Sequence, residues 1–130
     1  MTDRNLINTA AAAMQNSYSP YSRFPVGAAI ECEDGTIFTG CNIENAAFGA
    51  TMCAEAVAIA CAVSSGHRDF KRIAIFSDGG SYCFPCGTCR QMLQEFSPNV
   101  ELLCARSDGR YVSYSLSSLL PMAFDKEQIE

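Results

Sequence analysis

Eight cysteines stand in this chain of 130 residues, and three of them fall in two short segments that could do chemistry. One segment is Cys53-Ala54-Glu55. The other is Pro85-Cys86-Gly87-Thr88-Cys89. Cys86 and Cys89 are three apart, so on the first turn of a helix their sulfurs face the same side. The free N–H groups and positive dipole end of a helix N-terminus favour thiolate over thiol. If each segment opens a helix and the two ends converge, three thiolates aim at one point. Three protein ligands with an open fourth position is the pattern of a catalytic zinc, not of a closed structural one. The open position would hold water, whose pKa zinc lowers to about 7 in favourable sites. Three thiolates donate more charge than three imidazoles, so acidification should be weaker here, with helix dipoles offsetting part of the excess. A general base is then useful. Glu55 stands two residues after Cys53, close enough to reach that water without ligating.

The elements that must position these residues are legible from periodicity and punctuation. Leu6, Ala10, Ala13 and Met14 recur at helical spacing, and that helix stops before Pro20. Val26–Cys32 and Thr36–Cys41 read as a hairpin around the turn Glu33-Asp34-Gly35. Asn42–Thr51 is a loop. Cys53–Ser65 is Ala-rich and reads as a buried helix ending at Gly66. A strand at Ile73–Ser77 follows, then a helix with Pro85 in its first turn running through Phe96. Strands at Val100–Ala105 and Tyr111–Ser115 flank the turn Asp108-Gly109, and a short helix covers Ser117–Leu120. The chain reads as one domain over residues 1–130, with helices layered on a mixed five-stranded sheet. The connection from Ile73–Ser77 to Val100–Ala105 is long enough to join parallel strands.

Composition narrows the function. Hydrophobic residues make up 48% and charged residues 18%, which is enough apolar material for a core. The net charge of -5 and the scattered basic residues argue against a nucleic-acid partner. The group His67, Arg68, Lys71 and Arg72 reads as the solvated end of a helix and the turn after it. Met1–Asn5 is polar and Ala10–Ala13 is too short for a signal core or membrane span, which points to the cytosol. In that reducing compartment cysteines are thiols or metal ligands rather than disulfides. Cys32, Cys41, Cys61 and Cys104 lie in or beside apolar runs and read as buried thiols. Cys83, Cys86 and Cys89 share a three-residue spacing that also admits a structural zinc site with Cys53 or Cys41. That alternative closes the metal to chemistry and leaves Glu55 without a role.

A Cys₃ zinc, a non-ligating Glu and a distal Pro-Cys-x-x-Cys are the arrangement of the zinc deaminases. In this light the sequence resembles the small homotetrameric cytidine deaminases. The resemblance rests on Tyr21–Ala29, Gly40–Ala46, Cys53-Ala54-Glu55, Pro85–Gln91 and Leu119–Phe124, in that order. It implies a three-layer α/β/α domain with helices on both faces of the sheet. It also implies hydrolytic deamination of cytidine and 2′-deoxycytidine, with one zinc per subunit held by Cys53, Cys86 and Cys89. Glu55 would pass a proton from the zinc-bound water to N3 of the base. Asn42 and Glu44 match positions that bond the sugar hydroxyls, Phe24 packs on the nucleoside, and the Ala54 backbone contacts the base. Phe124 matches an aromatic that stacks on the base from a neighbouring subunit, so the resemblance implies a homotetramer with shared sites.

Two positions depart from the family pattern. Arg often follows the Cys-Ala-Glu segment and bonds the ligand sulfurs, whereas Ala56 stands here. Arg90, just after Cys89, is the expected substitute. Phe48 stands where a tyrosine is common, so the bond of that hydroxyl is absent. The run Cys53-Ala54-Glu55-Ala56 also resembles some blasticidin S deaminases, while Phe24, Asn42-Ile43-Glu44-Asn45 and the ending through Phe124 fit nucleoside deaminases better.

Overall fold

The structure is a computed structural model and describes residues 1–129. Its strands are β1 (Val26–Cys32), β2 (Ile37–Cys41), β3 (Phe70–Ser77), β4 (Glu101–Ala105) and β5 (Tyr111–Ser115). Its helices are α1 (Asp3–Met14), α2 (Ala54–Ser64), α3 (Gly87–Phe96) and α4 (Leu116–Leu119). The strands form one sheet in the order β2-β1-β3-β4-β5. Only β3 and β4 run parallel, joined by the crossover through α3; the other neighbours are antiparallel. The sheet is therefore mixed, as the spacing of the elements required.

Both faces are covered, which is why the central strands are apolar at nearly every position rather than at every second one. All seven residues of β1 are buried. On one face Ala29, Ala74 and Leu103 pack against Leu6, Ile7 and Ala10 of α1. On the other, Ile30, Ile73, Ile75 and Leu102 pack against Ile59 of α2 and Leu93 of α3. The result is a three-layer α/β/α sandwich.

Two glycines let the helices sit close. A Cβ on Gly27 would lie 2.0 Å from the Ala10 carbonyl oxygen of α1. A Cβ on Gly40 would lie 2.5 Å from the Ala54 carbonyl oxygen and 2.6 Å from the Ala58 nitrogen of α2. The second approach matters for function, because it seats the first turn of α2 on the sheet.

Several boundaries differ from those read in the sequence. The first helix starts at Asp3, because the Thr2 hydroxyl caps it by accepting from the Asn5 amide at 3.1 Å. Pro85 lies ahead of α3 rather than in its first turn, since Cys86 takes the capping position. β3 starts three residues early, at Phe70, and so absorbs Lys71 and Arg72. Arg72 is not a solvated turn residue: its Nε donates to Glu31 at 2.8 Å, and its guanidinium also pairs with Asp3. His67 is likewise engaged, with its Nε2 2.9 Å from Asp34 and its ring 5.0 Å from that of Phe38.

Candidate active site

The two cysteine segments meet at the N-termini of two helices. Cys53 is the residue capping α2, and Cys86 is the residue capping α3. Cys89 follows in the first turn of α3, buried. The Cys53 and Cys86 sulfurs are 3.7 Å apart, and those of Cys86 and Cys89 are 3.6 Å apart. All three lie within 4.8 Å of one another. A tetrahedral zinc with Zn–S bonds of about 2.3 Å holds its sulfurs about 3.8 Å apart, so the spacing fits that ion. Cys83 is not part of this cluster, and neither is Cys41, so the four-cysteine structural site does not form. Cys32 and Cys104 are buried, as expected of inert thiols, but Cys61 is exposed on the outer side of α2.

Electrostatics point to the same kind of occupant. Burial pushes the Cys53 thiol up to about 11, helped by its contact with Cys86 and the charge of Glu55. Burial and the Glu55 charge push Cys89 up as well. Cys86 goes the other way: burial would raise it, but the Cys89 and Thr88 amides and hydrogen bonds with Cys89 and Cys53 together hold it low. Glu55 is buried, only 4% exposed, and burial raises its carboxyl above the usual range. Two thiols, Cys53 and Cys89, and the Glu55 carboxyl are thus discouraged from ionising, while Cys86 is favoured as the thiolate. A divalent cation among them relieves that conflict, because the ligands bind as thiolates.

Two of the three cysteines, Cys53 and Cys86, line a cavity of about 260 Å³. Ala54, Glu55, Cys83 and Phe84 line it too, as do Phe24, Asn42 and Glu44. Arg23 turns through a left-handed backbone conformation, φ 56°, just before Phe24. A second cavity of about 430 Å³ adjoins through Ser22, Glu44 and Thr51, with Tyr21 and Phe48 on its far wall. The Tyr21 and Phe48 rings meet edge to face at 6.2 Å. Thr51 and Phe84 are wall residues that no local pattern in the sequence marks, and Cys83, whose spacing admitted a structural ligand, is a wall residue instead.

Asn42 and Glu44 are held so that each has one bonding position to spare. Asn42 Oδ1 accepts from the Val26 amide at 2.9 Å and from the Ser17 hydroxyl. Its Nδ2 donates to the Phe24 carbonyl at 2.8 Å. One N–H remains. Glu44 Oε1 accepts from the Tyr21 and Ser22 amides at 2.9 and 3.0 Å, and Oε2 accepts from the Ser22 hydroxyl. These bonds hold its carboxyl below the usual range. One acceptor position remains on Oε2. A spare donor and a spare acceptor on residues that line the same cavity suit a hydroxyl-bearing ligand.

Arg90 does not serve the sulfurs. Its Nε donates to the Pro85 carbonyl at 2.9 Å and its NH1 to the Leu119 carbonyl at 2.8 Å. Two carbonyls outcompete a sulfur for the guanidinium because they are stronger acceptors. The amides of Thr88 and Cys89 take the part expected of it at Cys86. Phe124 is 58% exposed and does not line this chain's own cavity.

An open three-thiol site with a buried carboxyl beside it is the donor set of a catalytic zinc. Residues 1–104 match the family model described as the cytidine and deoxycytidylate deaminase zinc-binding region. A cytidine deaminase of Sporosarcina psychrophila is 43% identical over 99% of this chain and 96% of its own length. The crystal structure of a cytidine deaminase from Burkholderia pseudomallei superposes with a TM-score of 0.92 at 41% identity, covering 95% of this chain and 100% of that one. A blasticidin-S deaminase of Bacillus cereus is 30% identical over 95% of this chain and 93% of its own length. The chain belongs to the cytidine and deoxycytidylate deaminase family and is a zinc-binding deaminase.

Proposed function

We propose that this enzyme hydrolyses cytidine and 2′-deoxycytidine to uridine and 2′-deoxyuridine, with release of ammonia, as a step of pyrimidine salvage. The observation that carries the reading is the buried Glu55 in a cavity that two of three convergent cysteines, Cys53 and Cys86, also line. Cys53, Cys86 and Cys89 would hold one zinc per subunit. When bound, zinc supplies Lewis acidity that makes water a stronger nucleophile near neutral pH.

Glu55 does the proton work. It takes a proton from the attacking water and gives it to N3 as the water oxygen bonds to C4. The hydroxyl proton then at C4 passes through the same carboxyl to the amino nitrogen. The C4–N bond breaks, ammonia leaves, and the C4 carbonyl of uridine remains with the proton on N3. One carboxyl suffices because every proton moves within a few ångströms of one point.

In the same cavity, one sugar hydroxyl donates to Glu44 and accepts from Asn42. Reading a single hydroxyl, the 3′-OH, accounts for acceptance of both ribose and 2′-deoxyribose. Phe24 packs on the nucleoside and the Ala54 backbone meets the base. Neither cavity is lined by Lys, Arg or His, and Glu44 and Glu55 are both acidic. A 5′-phosphate would find no cation there, which favours free nucleosides over nucleotides. The Phe124 side chain, exposed on its own chain, suits a role in a neighbour's site within a homotetramer. The eight free cysteines suit the cytosol, and no helix among the described residues is long and apolar enough to cross a membrane.

The test is a substrate comparison on the purified, zinc-loaded protein, following loss of the cytosine chromophore and release of ammonia. Cytidine and 2′-deoxycytidine should turn over, and cytidine 5′-monophosphate and blasticidin S should be poor. Preference for blasticidin S would transfer the reading to that branch of the family, which Ala56 also resembles. Deamination of single-stranded oligonucleotide but not cytidine would overturn it.

A further inference from the structure

Residues 121–129 are joined to the rest of the described chain by one hydrogen bond, from Gln91 Nε2 to the Phe124 carbonyl at 2.8 Å. The arm is shaped on either side of that bond. Met122 adopts a left-handed conformation, φ 52°, and is fully exposed. The Asp125 side chain caps the turn Lys126–Gln128. A single external bond can therefore place Phe124, because the arm's own path is already constrained.

That bond comes from the helix that carries the metal ligands. Gln91 is the second residue after Cys89, and Arg90 stands between them. Arg90 spans the Pro85 carbonyl, directly ahead of Cys86, and the Leu119 carbonyl at the end of α4, two residues ahead of the arm. Consecutive side chains of α3 thus hold the root of the arm and the carbonyl of its aromatic residue.

We propose that Arg90 and Gln91 are positioning residues that hang the C-terminal arm on the metal-binding helix, so that loading the three-cysteine site fixes Phe124 in place. A metal on Cys86 and Cys89 holds the Pro85–Cys86 turn, and the turn holds the Arg90 guanidinium. Arg90 then holds Leu119 while Gln91 holds Phe124. What Phe124 does once placed rests on the nucleoside-deaminase reading above; what places it rests on these hydrogen bonds.

The test combines kinetics with amide hydrogen exchange of peptides spanning residues 119–129. Gln91→Glu keeps the side-chain length and removes the donor. It should raise KM for cytidine about three- to tenfold, the worth of one hydrogen bond, with kcat and zinc content at wild-type values. Gln91→Lys, which restores a donor, should recover part of the loss. Stripping zinc from the wild type should speed exchange in the arm, and Arg90→Ala should show the same faster exchange while still loaded. Wild-type KM and exchange in Gln91→Glu, or arm exchange indifferent to zinc, would overturn the proposal. If Arg90→Ala does not fold, Gln91→Glu and the stripped wild type decide it. Absence of cytidine turnover in the wild type would instead sink the deaminase reading, and the exchange data alone would then judge the clamp.

Discussion

Gly40→Ala probes the link between sheet packing and chemistry. The added Cβ would sit 2.5 Å from the Ala54 carbonyl oxygen and 2.6 Å from the Ala58 nitrogen. Both are backbone atoms, so no side chain can swing aside. Restoring ordinary contact moves the first turn of α2 outward by about 0.9 Å. That turn carries Cys53 at its cap and Glu55 two residues on. Overpacking of this kind costs about 1–3 kcal/mol, which lowers the melting temperature by about 3–15 °C. A displacement near 1 Å at the reacting groups costs about a hundredfold in rate. Gly27→Ala is the control, because its Cβ meets Ala10 of α1 on the opposite face. Both variants should melt lower, and only Gly40→Ala should also lose kcat and zinc affinity per folded molecule. The assay is calorimetry with zinc quantitation and cytidine turnover on the same preparations. Wild-type kcat and zinc affinity in a folded Gly40→Ala protein would show that the seating of α2 does not position the site.

Asn42→Asp keeps the acceptor for Val26 and Ser17 but removes the N–H groups given to Phe24 and left for substrate. KM should rise about tenfold or more, and stability should fall by about 1–3 kcal/mol, because the Phe24 carbonyl loses its donor. Chelating the zinc should abolish turnover and lower the melting temperature while far-ultraviolet circular dichroism stays near native, since the sheet packs on both faces without the metal site. Cys104, whose thiol burial pushes up to about 12, should resist alkylation at pH 8 in the native protein and react after denaturation. Because its folded value lies above its unfolded value near 9, the stability it contributes is complete below pH 9 and is lost as pH rises toward 12. Melting temperatures measured across that range should therefore fall.

The three cysteines that converge and the carboxyl beside them were legible because their signal is local. Cys86 and Cys89 share one helical turn, and Glu55 sits two places after Cys53. Helix ends at Gly66 and strand runs such as Val26–Cys32 likewise follow from neighbours in the sequence. What escaped was set by partners far along the chain. Arg90 reaches the Leu119 carbonyl 29 residues away, so its spacing from Cys89 said nothing about its direction. Arg72 belongs to β3 because it pairs with Glu31 of β1 and Glu101 of β4, and its guanidinium also reaches Asp3 of α1, although its basic neighbours resembled a solvated turn. The sequence proposed Asn42 and Glu44 as sugar contacts, but only the bonds from Val26, Tyr21 and Ser22 show that one donor and one acceptor remain. Cys61 sits in an Ala-rich apolar run yet faces outward, because a helix has a back as well as a face.

The most direct measurement is cytidine turnover by zinc-loaded wild type and Glu55→Ala, with zinc content and melting temperature taken on both. The account predicts conversion to uridine by the wild type. It predicts one zinc per chain and a near-native melting temperature in the variant, with turnover reduced by a factor on the order of 10²–10⁴ or more. Comparable turnover in the two proteins, each holding its zinc, would contradict the assignment of Glu55 as the proton carrier.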